Sequence, residues 1–346
     1  MKTRLFSLLG AATVGLSLCP SASSLPADPV RSPSPTAPEI AILTQLSQAE
    51  IHYNLGVSLY NQGRLDEAIE EYRAALRLNP DFAKAHNELG VVFWLQNHLN
   101  QAFREFKTAL EIYPDDAVAH NNLGAVLAEQ GQIDQAIAEY QTAIRLNPNY
   151  STPHSNLGDI FYNQGLLEDA AYEYEAAVHL NPTDAESYGW LGLVLDQQGQ
   201  LDEAIVNYRI SLRLDPDNSN THNNLGVALR KQGQIDEAAR EYEIALQLDP
   251  DNVYAHDNLG VILQKHGRLD AAIAEYRAVL RLEPNDALAQ EHLAQALLAQ
   301  GNLAEAIVAL RRAAQLYATQ GQKQQAKQLY ATLREWTKQN YSTRNK

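Results

Sequence analysis

Six histidines stand at one register of a 34-residue period: His52, His86, His120, His154, His222 and His256. Clustered histidines raise the question of a metal site, and distance answers it. Equivalent side chains on neighbouring stacked helices start about 8–10 Å apart. Zinc needs each nitrogen at roughly 2.0–2.1 Å. A shared metal is therefore not expected, and the histidines read as large side chains packing against a neighbouring helix.

Other chemistry is equally sparse. There is no phosphate-cradling glycine loop, no nucleophile elbow and no paired metal motif. Carboxylates are abundant, but they fall at helix starts, where the helix dipole accounts for them. No catalytic residue, cofactor or metal is assigned, and an enzyme is not expected. Formal net charge is −15, and residues 49–320 hold 39 acids against 18 basic residues. Such a field repels phosphate backbones, so nucleic acid is not an expected partner. The single cysteine, Cys19, precedes the periodic region, which therefore has no disulfide and no thiolate site.

The elements behind the histidines are built on a recurring pentad. His120-Asn121-Asn122-Leu123-Gly124 has close variants one period away on either side. A fixed period of this length marks a stack of supersecondary units. Most units show an apolar helix pattern (helix A), a Gly turn, a second helix pattern (helix B) and a proline stop, usually Asn-Pro or Asp-Pro. In the first, helix A is expected over about Glu50 to Gln62, with Gly63 as its left-handed terminator. Helix B opens at Leu65-Asp66-Glu67 and stops at Asn79-Pro80, because the residue before proline disfavours helix. No stretch alternates with period two, so no sheet is expected. The frame gives eight repeats: 49–82, 83–116, 117–150, 151–184, 185–218, 219–252, 253–286 and 287–320.

These positions resemble the tetratricopeptide repeat. Leu-Gly stands in helix A of seven repeats, from Leu55-Gly56 to Leu259-Gly260, with Leu293-Ala294 in the eighth. The helix B alanine is present throughout, from Ala68 to Ala306. The helix B aromatic runs Tyr72, Phe106, Tyr140, Tyr174, Tyr208, Tyr242 and Tyr276, then Leu310. The resemblance implies an all-α, right-handed solenoid of helix-turn-helix repeats with a C-terminal capping helix. A glycine inside a helix costs about 1 kcal/mol relative to alanine. Seven at one register imply close approach of helices A and B. The expected arrangement sets the helix B alanine opposite the glycine, with the aromatic filling the gap toward the next repeat.

In this family helix A lines the concave surface, so the resemblance also implies a groove. The residue before Leu-Gly would face it: Asn54, Asn122, Asn156, Asn224 and Asn258, interrupted by Glu88, Trp190 and His292. The series is similar to the asparagine ladder in the repeat region of O-linked N-acetylglucosamine transferases, where amides grip the backbone of an extended polypeptide. An amide offers both donors and acceptors to a peptide unit. The competing expectation is that these amides cap or bridge neighbouring helices. One turn on, Tyr60, Trp94 and Tyr162 are candidate anchors or packing residues. The basic and asparagine positions of the chaperone-type carboxylate clamp are not matched; Val57, Val91, Ala125 and Asp159 occupy one of them. Only 26 residues follow the eighth repeat, so the transferase activity is not carried over. The expected role is a non-catalytic scaffold or adaptor for a polypeptide in the groove. A chaperone-like assembly factor and a targeting subunit of an enzyme on another chain are alternatives.

The flanks differ in composition. Lys2 and Arg4 precede an uncharged apolar run from Leu5 to Leu18, and Ala22-Ser23-Ser24 offers small residues for cleavage. Residues 1–24 read as an export signal, giving a periplasmic or equivalent lumenal protein without a stable membrane span once processed. An uncleaved anchor, or lipidation at Cys19, is the alternative. Residues 25–48 combine a Pro-rich linker with a lead-in helix containing Ile40, Leu43 and Leu46. After Gly321, Ala326, Leu329, Tyr330, Leu333 and Trp336 recur at helical spacing and read as a cap over the last repeat. Oligomeric state is not readable.

Overall fold

The computed structural model describes residues 37–344; the expected export signal and the linker up to residue 36 lie outside the described residues. Among the described residues the protein is all-α, with seventeen helices and no strand. It divides into two compact units, one ending at Gln164 and one beginning at Gly165. The first holds α1 (Ala37–Asn61), α2 (Leu65–Leu78), α3 (Ala83–Leu95), α4 (Leu99–Ile112), α5 (Ala117–Glu129), α6 (Ile133–Leu146) and α7 (Ser151–Asn163). The second begins with α8 (Leu167–Leu180), α9 (Ala185–Gln197), α10 (Leu201–Leu214), α11 (Ser219–Lys231) and α12 (Ile235–Leu248). It continues with α13 (Val253–Lys265), α14 (Leu269–Leu282), α15 (Ala287–Gln300), α16 (Leu303–Thr319) and α17 (Lys323–Arg344). Within each unit consecutive helices pack on one another, so each is an all-α solenoid of helix pairs. Odd-numbered helices up to α15 are the A helices, and even-numbered ones are the B helices.

Local chemistry sets the helix ends. Gly63 and Gly131 follow α1 and α5 at φ +73° and +77°, where a side chain would be strained. In the second repeat Asn97 takes the same role at φ 62°, which asparagine tolerates better than most residues. Asp116, Asp184, Asn218, Asn252 and Asp286 cap the A helices that follow them, each accepting from a first-turn backbone amide. Asn79, ahead of Pro80, leaves the helical region at φ −137°, ψ 91°. The lead-in residues run without a break into the first A helix, since α1 begins at Ala37.

The packing around the helical glycines corrects the expected arrangement. A Cβ added at Gly124 would lie 2.7 Å from Cε1 of Tyr140, and one at Gly56 would lie 2.6 Å from Cε1 of Tyr72. The same holds for Gly90 under Phe106, Gly192 under Tyr208, Gly226 under Tyr242 and Gly260 under Tyr276. The helix B aromatic therefore covers the glycine of its own repeat, where it was expected to fill the gap toward the next one. The rings are buried, and in the first unit they join Leu89, Val92, Leu123 and Val126 in one core. In the eighth repeat Ala294 replaces the glycine and Leu310 the ring, and both are buried. At the C-terminal end α17 packs on α16 and buries Ala326, Leu329 and Leu333.

Candidate functional site

Neighbouring A helices touch directly: α1 with α3, α3 with α5 and α5 with α7 in the first unit; α9 with α11, α11 with α13 and α13 with α15 in the second. Within either unit, no pair of neighbouring B helices among the described residues packs to that extent. The A helices thus form the shorter, inner row of each unit, and the candidate asparagines lie in that row.

The structure gives these amides partners. Asn122 donates from Nδ2 to Oδ1 of Asn87 at 3.0 Å, and Asn156 donates to Oδ1 of Asn121 at 3.0 Å. Asn258 donates to Oδ1 of Asn223 at 3.2 Å. His292, at the same register, places Nδ1 2.8 Å from Oδ1 of Asp257. Each rung spans one repeat plus one residue, a separation of 35. The same stagger appears two turns along the helix, where Trp94 donates from Nε1 to Glu129 at 2.8 Å and Lys231 meets Asp196 at 2.7 Å.

The bridging expectation therefore holds for the Nδ2 groups of Asn122, Asn156 and Asn258. Their Oδ1 atoms differ. None receives a hydrogen bond, and none is among the buried polar atoms left unpaired, so each still reaches solvent. Asn122 and Asn156 are buried, Asn224 and Asn258 half-buried, and Asn54 exposed. The rung acceptors Asn87, Asn121 and Asn223 were missed as functional residues. The signal was available, since they are the first asparagine of the recurring pentad.

The aromatic candidates do not form one cluster. Trp94 is only 6% exposed and its indole N–H is committed to Glu129, so it packs between repeats and is no open anchor. Tyr60 and Tyr162 are half-buried. The hydroxyl of Tyr60 is buried without a partner, as is that of Tyr72. Glu88, which interrupts the asparagine series, is held above the usual carboxylate range by burial, against a 3.3 Å hydrogen bond from Asn87. Burial and the Glu88 charge together raise the phenols of Tyr53, Tyr60 and Tyr72.

The histidine register turns out to be a set of ionic staples. His86 Nδ1 lies 2.6 Å from Oε2 of Glu105 on helix B, and its Nε2 lies 3.0 Å from the carbonyl of Pro80. His120 repeats this with Glu139 and Pro114, His222 with Glu241 and Pro216, and His256 with Glu275 and Pro250. Both ring nitrogens face acceptors, so each ring satisfies both only as the imidazolium, donating from Nδ1 and Nε2. Burial opposes that charge at His86 and His222, but the hydrogen bonds to Glu105 or Glu241 and to the proline carbonyl outweigh it. At His120 and His256 the hydrogen bonds to Glu139 and Glu275 lead, and both rings are again held above the usual histidine range. Among the described residues no three His, Cys, Asp or Glu side chains form a metal-binding group. No described helix is long and apolar enough to cross a membrane.

Comparison with known proteins agrees with this geometry. The family model for the "Cilia and flagella-associated protein 70 C-terminal domain", a tetratricopeptide-type domain, matches residues 82–281. Models described as "TPR repeat" and "Tetratricopeptide repeat" match residues 58–97 and 258–321. No curated protein sequence matches the chain significantly. Among solved structures, Pseudomonas aeruginosa PilF is similar with a TM-score of 0.57 at 24% identity, covering 62% of this chain and 97% of that one. A chain of the APC/C hetero-tetramer Cut9–Hcn1 gives 0.58 at 23% identity, over 75% of this chain and 52% of the other. The C-terminal part of a repeat-containing protein from Cytophaga hutchinsonii gives 0.55 at 18%, over 70% and 99%. At these identities the likeness is one of fold.

Proposed function

The chain belongs to the tetratricopeptide repeat family, and from that premise we propose that it is a non-catalytic adaptor binding an extended stretch of another polypeptide along its inner row of A helices. The observation that carries the reading is the orientation of the asparagine rungs. Each Nδ2 is spent on the preceding repeat, which fixes the amide, and each Oδ1 is left without a donor. Fixed acceptors on successive A helices, Asn122 and Asn156 in the first unit, suit the backbone N–H groups of an extended chain, which recur regardless of sequence. Because the amides are already ordered, binding loses little side-chain freedom.

We also propose export. Lys2 and Arg4, the apolar run to Leu18 and the small residues at 22–24 support a cleaved signal and a mature protein in the periplasm or an equivalent lumen.

Photo-cross-linking tests the adaptor reading. A benzoylphenylalanine at Asn61 or Lys265 sits two helical turns from Asn54 or Asn258, on the same helix face. Both positions are exposed. In the native host these probes should capture a polypeptide, while a probe at the exposed helix B position Arg240 should not. Equal capture from both faces, or none from the inner one, overturns the reading.

A further inference from the structure

A cavity of about 390 Å³ lies in the first unit between α2, α3 and α4, away from the asparagine rungs. Arg73, Arg77 and Arg104 surround it, over an apolar wall that includes Leu76 and Phe93. The Arg73 guanidinium stands 5.8 Å from the centre of the Phe93 ring. Three arginines converging on one cavity are unexpected in a chain whose formal net charge is −15. Glu105 also lines the cavity, but His86 holds it at 2.6 Å. The three cations are poorly matched from within. Arg73 has one partner, Glu70 at 3.1 Å on its own helix, and Arg77 and Arg104 have none among the described residues.

Other repeats show what this register takes. Arg209 pairs with Glu237 of the next repeat at 2.6 Å, and Arg277 pairs with Glu305 at 2.9 Å. Both pairs span 28 residues. The residue 28 positions after Arg73 is Gln101, which lines the cavity. The same three registers carry Arg209, Arg213 and Arg240 four repeats on, where Glu237 supplies a carboxylate; around this cavity the neutral Gln101 stands in that carboxylate's place.

We propose that this cavity binds a partner polypeptide through the carboxylate of an acidic residue that adjoins an aromatic or aliphatic one. The carboxylate takes the place that Glu237 and Glu305 hold elsewhere, and the guanidinium fork matches it in bidentate fashion. The neighbouring apolar side chain lies on Leu76 and Phe93. The site is on the B-helix side of the first repeats, so it is a second contact surface, separate from the inner row.

The test is a titration of the full chain followed by the arginine Nε–Hε resonances in NMR. N-acetyl-aspartyl-phenylalanine amide should shift Arg73, Arg77 and Arg104 saturably, leaving Arg209 and Arg277 unmoved. The asparaginyl analogue should bind at least about tenfold more weakly, the equivalent of one charge-assisted contact. Gln101→Glu restores the carboxylate that later repeats carry, so it should lower the affinity of the aspartyl probe about tenfold without altering the circular dichroism spectrum. Arg104→Gln should weaken the probe as well. Equal binding of the two analogues, an unchanged affinity in Gln101→Glu, or shifts as large at Arg209 and Arg277 would each overturn the proposal. Inorganic phosphate displacing the aspartyl probe at equal concentration would also overturn it, by assigning the site to phosphate.

Discussion

Replacing Gly124 by alanine should destabilise the first unit, although alanine is the better helix former. The new Cβ would meet Tyr140 at 2.7 Å from Cε1, 2.8 Å from Cδ1 and 3.2 Å from Cζ. Carbon–carbon contacts are comfortable near 3.5–4.0 Å, so the ring must retreat by roughly 1 Å. It has nowhere to go, being 3% exposed and part of the shared core. Overpacking of this kind costs about 1–3 kcal/mol, against about 1 kcal/mol gained in helix propensity. The net loss should be about 0–2 kcal/mol. The sharper expectation concerns sign. The eighth repeat already combines Ala294 with Leu310, both buried. In a Tyr140→Leu background, Gly124→Ala should therefore stabilise, by up to about 1 kcal/mol. The cycle would show a coupling of about 1–3 kcal/mol. Urea midpoints of the four proteins measure the energies, and hydrogen exchange in α5 and α6 localises them. Equal effects of Gly124→Ala with and without the ring would refute the argument.

Three further outcomes follow from the same geometry. The rings of His86, His120, His222 and His256 are held above the usual histidine value, about 6.5. Their stabilisation is full below the unfolded value and is lost as pH rises through the folded ones. The melting temperature should accordingly fall as pH rises above the unfolded value, and replacing all four by glutamine should flatten that slope. Asn156→Ala strips the donor from Asn121, which is 3% exposed. An orphaned buried acceptor costs about 1–3 kcal/mol, so the urea midpoint should drop; an unchanged midpoint would mean the rung is not formed. A C-terminally tagged full-length chain should leave the cytoplasm and lose its residues up to about position 24. Intact Met1 in the membrane fraction would contradict export and support the anchor.

The helix pairs were legible because their signals are local and repeated. Gly63 and its equivalents end helices through backbone conformation, and Asn79-Pro80 stops one through sterics. Neither depends on distant residues. What faced the helical glycines was not legible, since the spacing between Gly124 and Tyr140 does not say that the ring lies over the glycine of its own repeat. The departure at Ala294 and Leu310 held the answer, because the two positions change together. The histidines were placed correctly against a neighbouring helix, but their ionic character required the 19-residue separation from Glu105 and its equivalents to be seen in space. The asparagines resisted reading for another reason. A single amide can serve the fold with Nδ2 and a partner with Oδ1, and sequence alone treats these as rival roles. Trp94 failed as an anchor because its partner, Glu129, lies one repeat away at the same stagger as the asparagine rungs.

The most direct measurement is the affinity of the polypeptide captured at the inner row for a variant that keeps the rung and displaces the free acceptor. Asn258→His has that design. The chain already uses histidine at this register, where His292 reaches Asp257, so an imidazole can still donate to Asn223. The acceptor it keeps, Nε2, lies one bond farther from the backbone than the amide oxygen did. The account predicts an unchanged melting temperature and a dissociation constant about three- to tenfold higher, the equivalent of one neutral hydrogen bond. Unchanged affinity on an equally stable fold would contradict it.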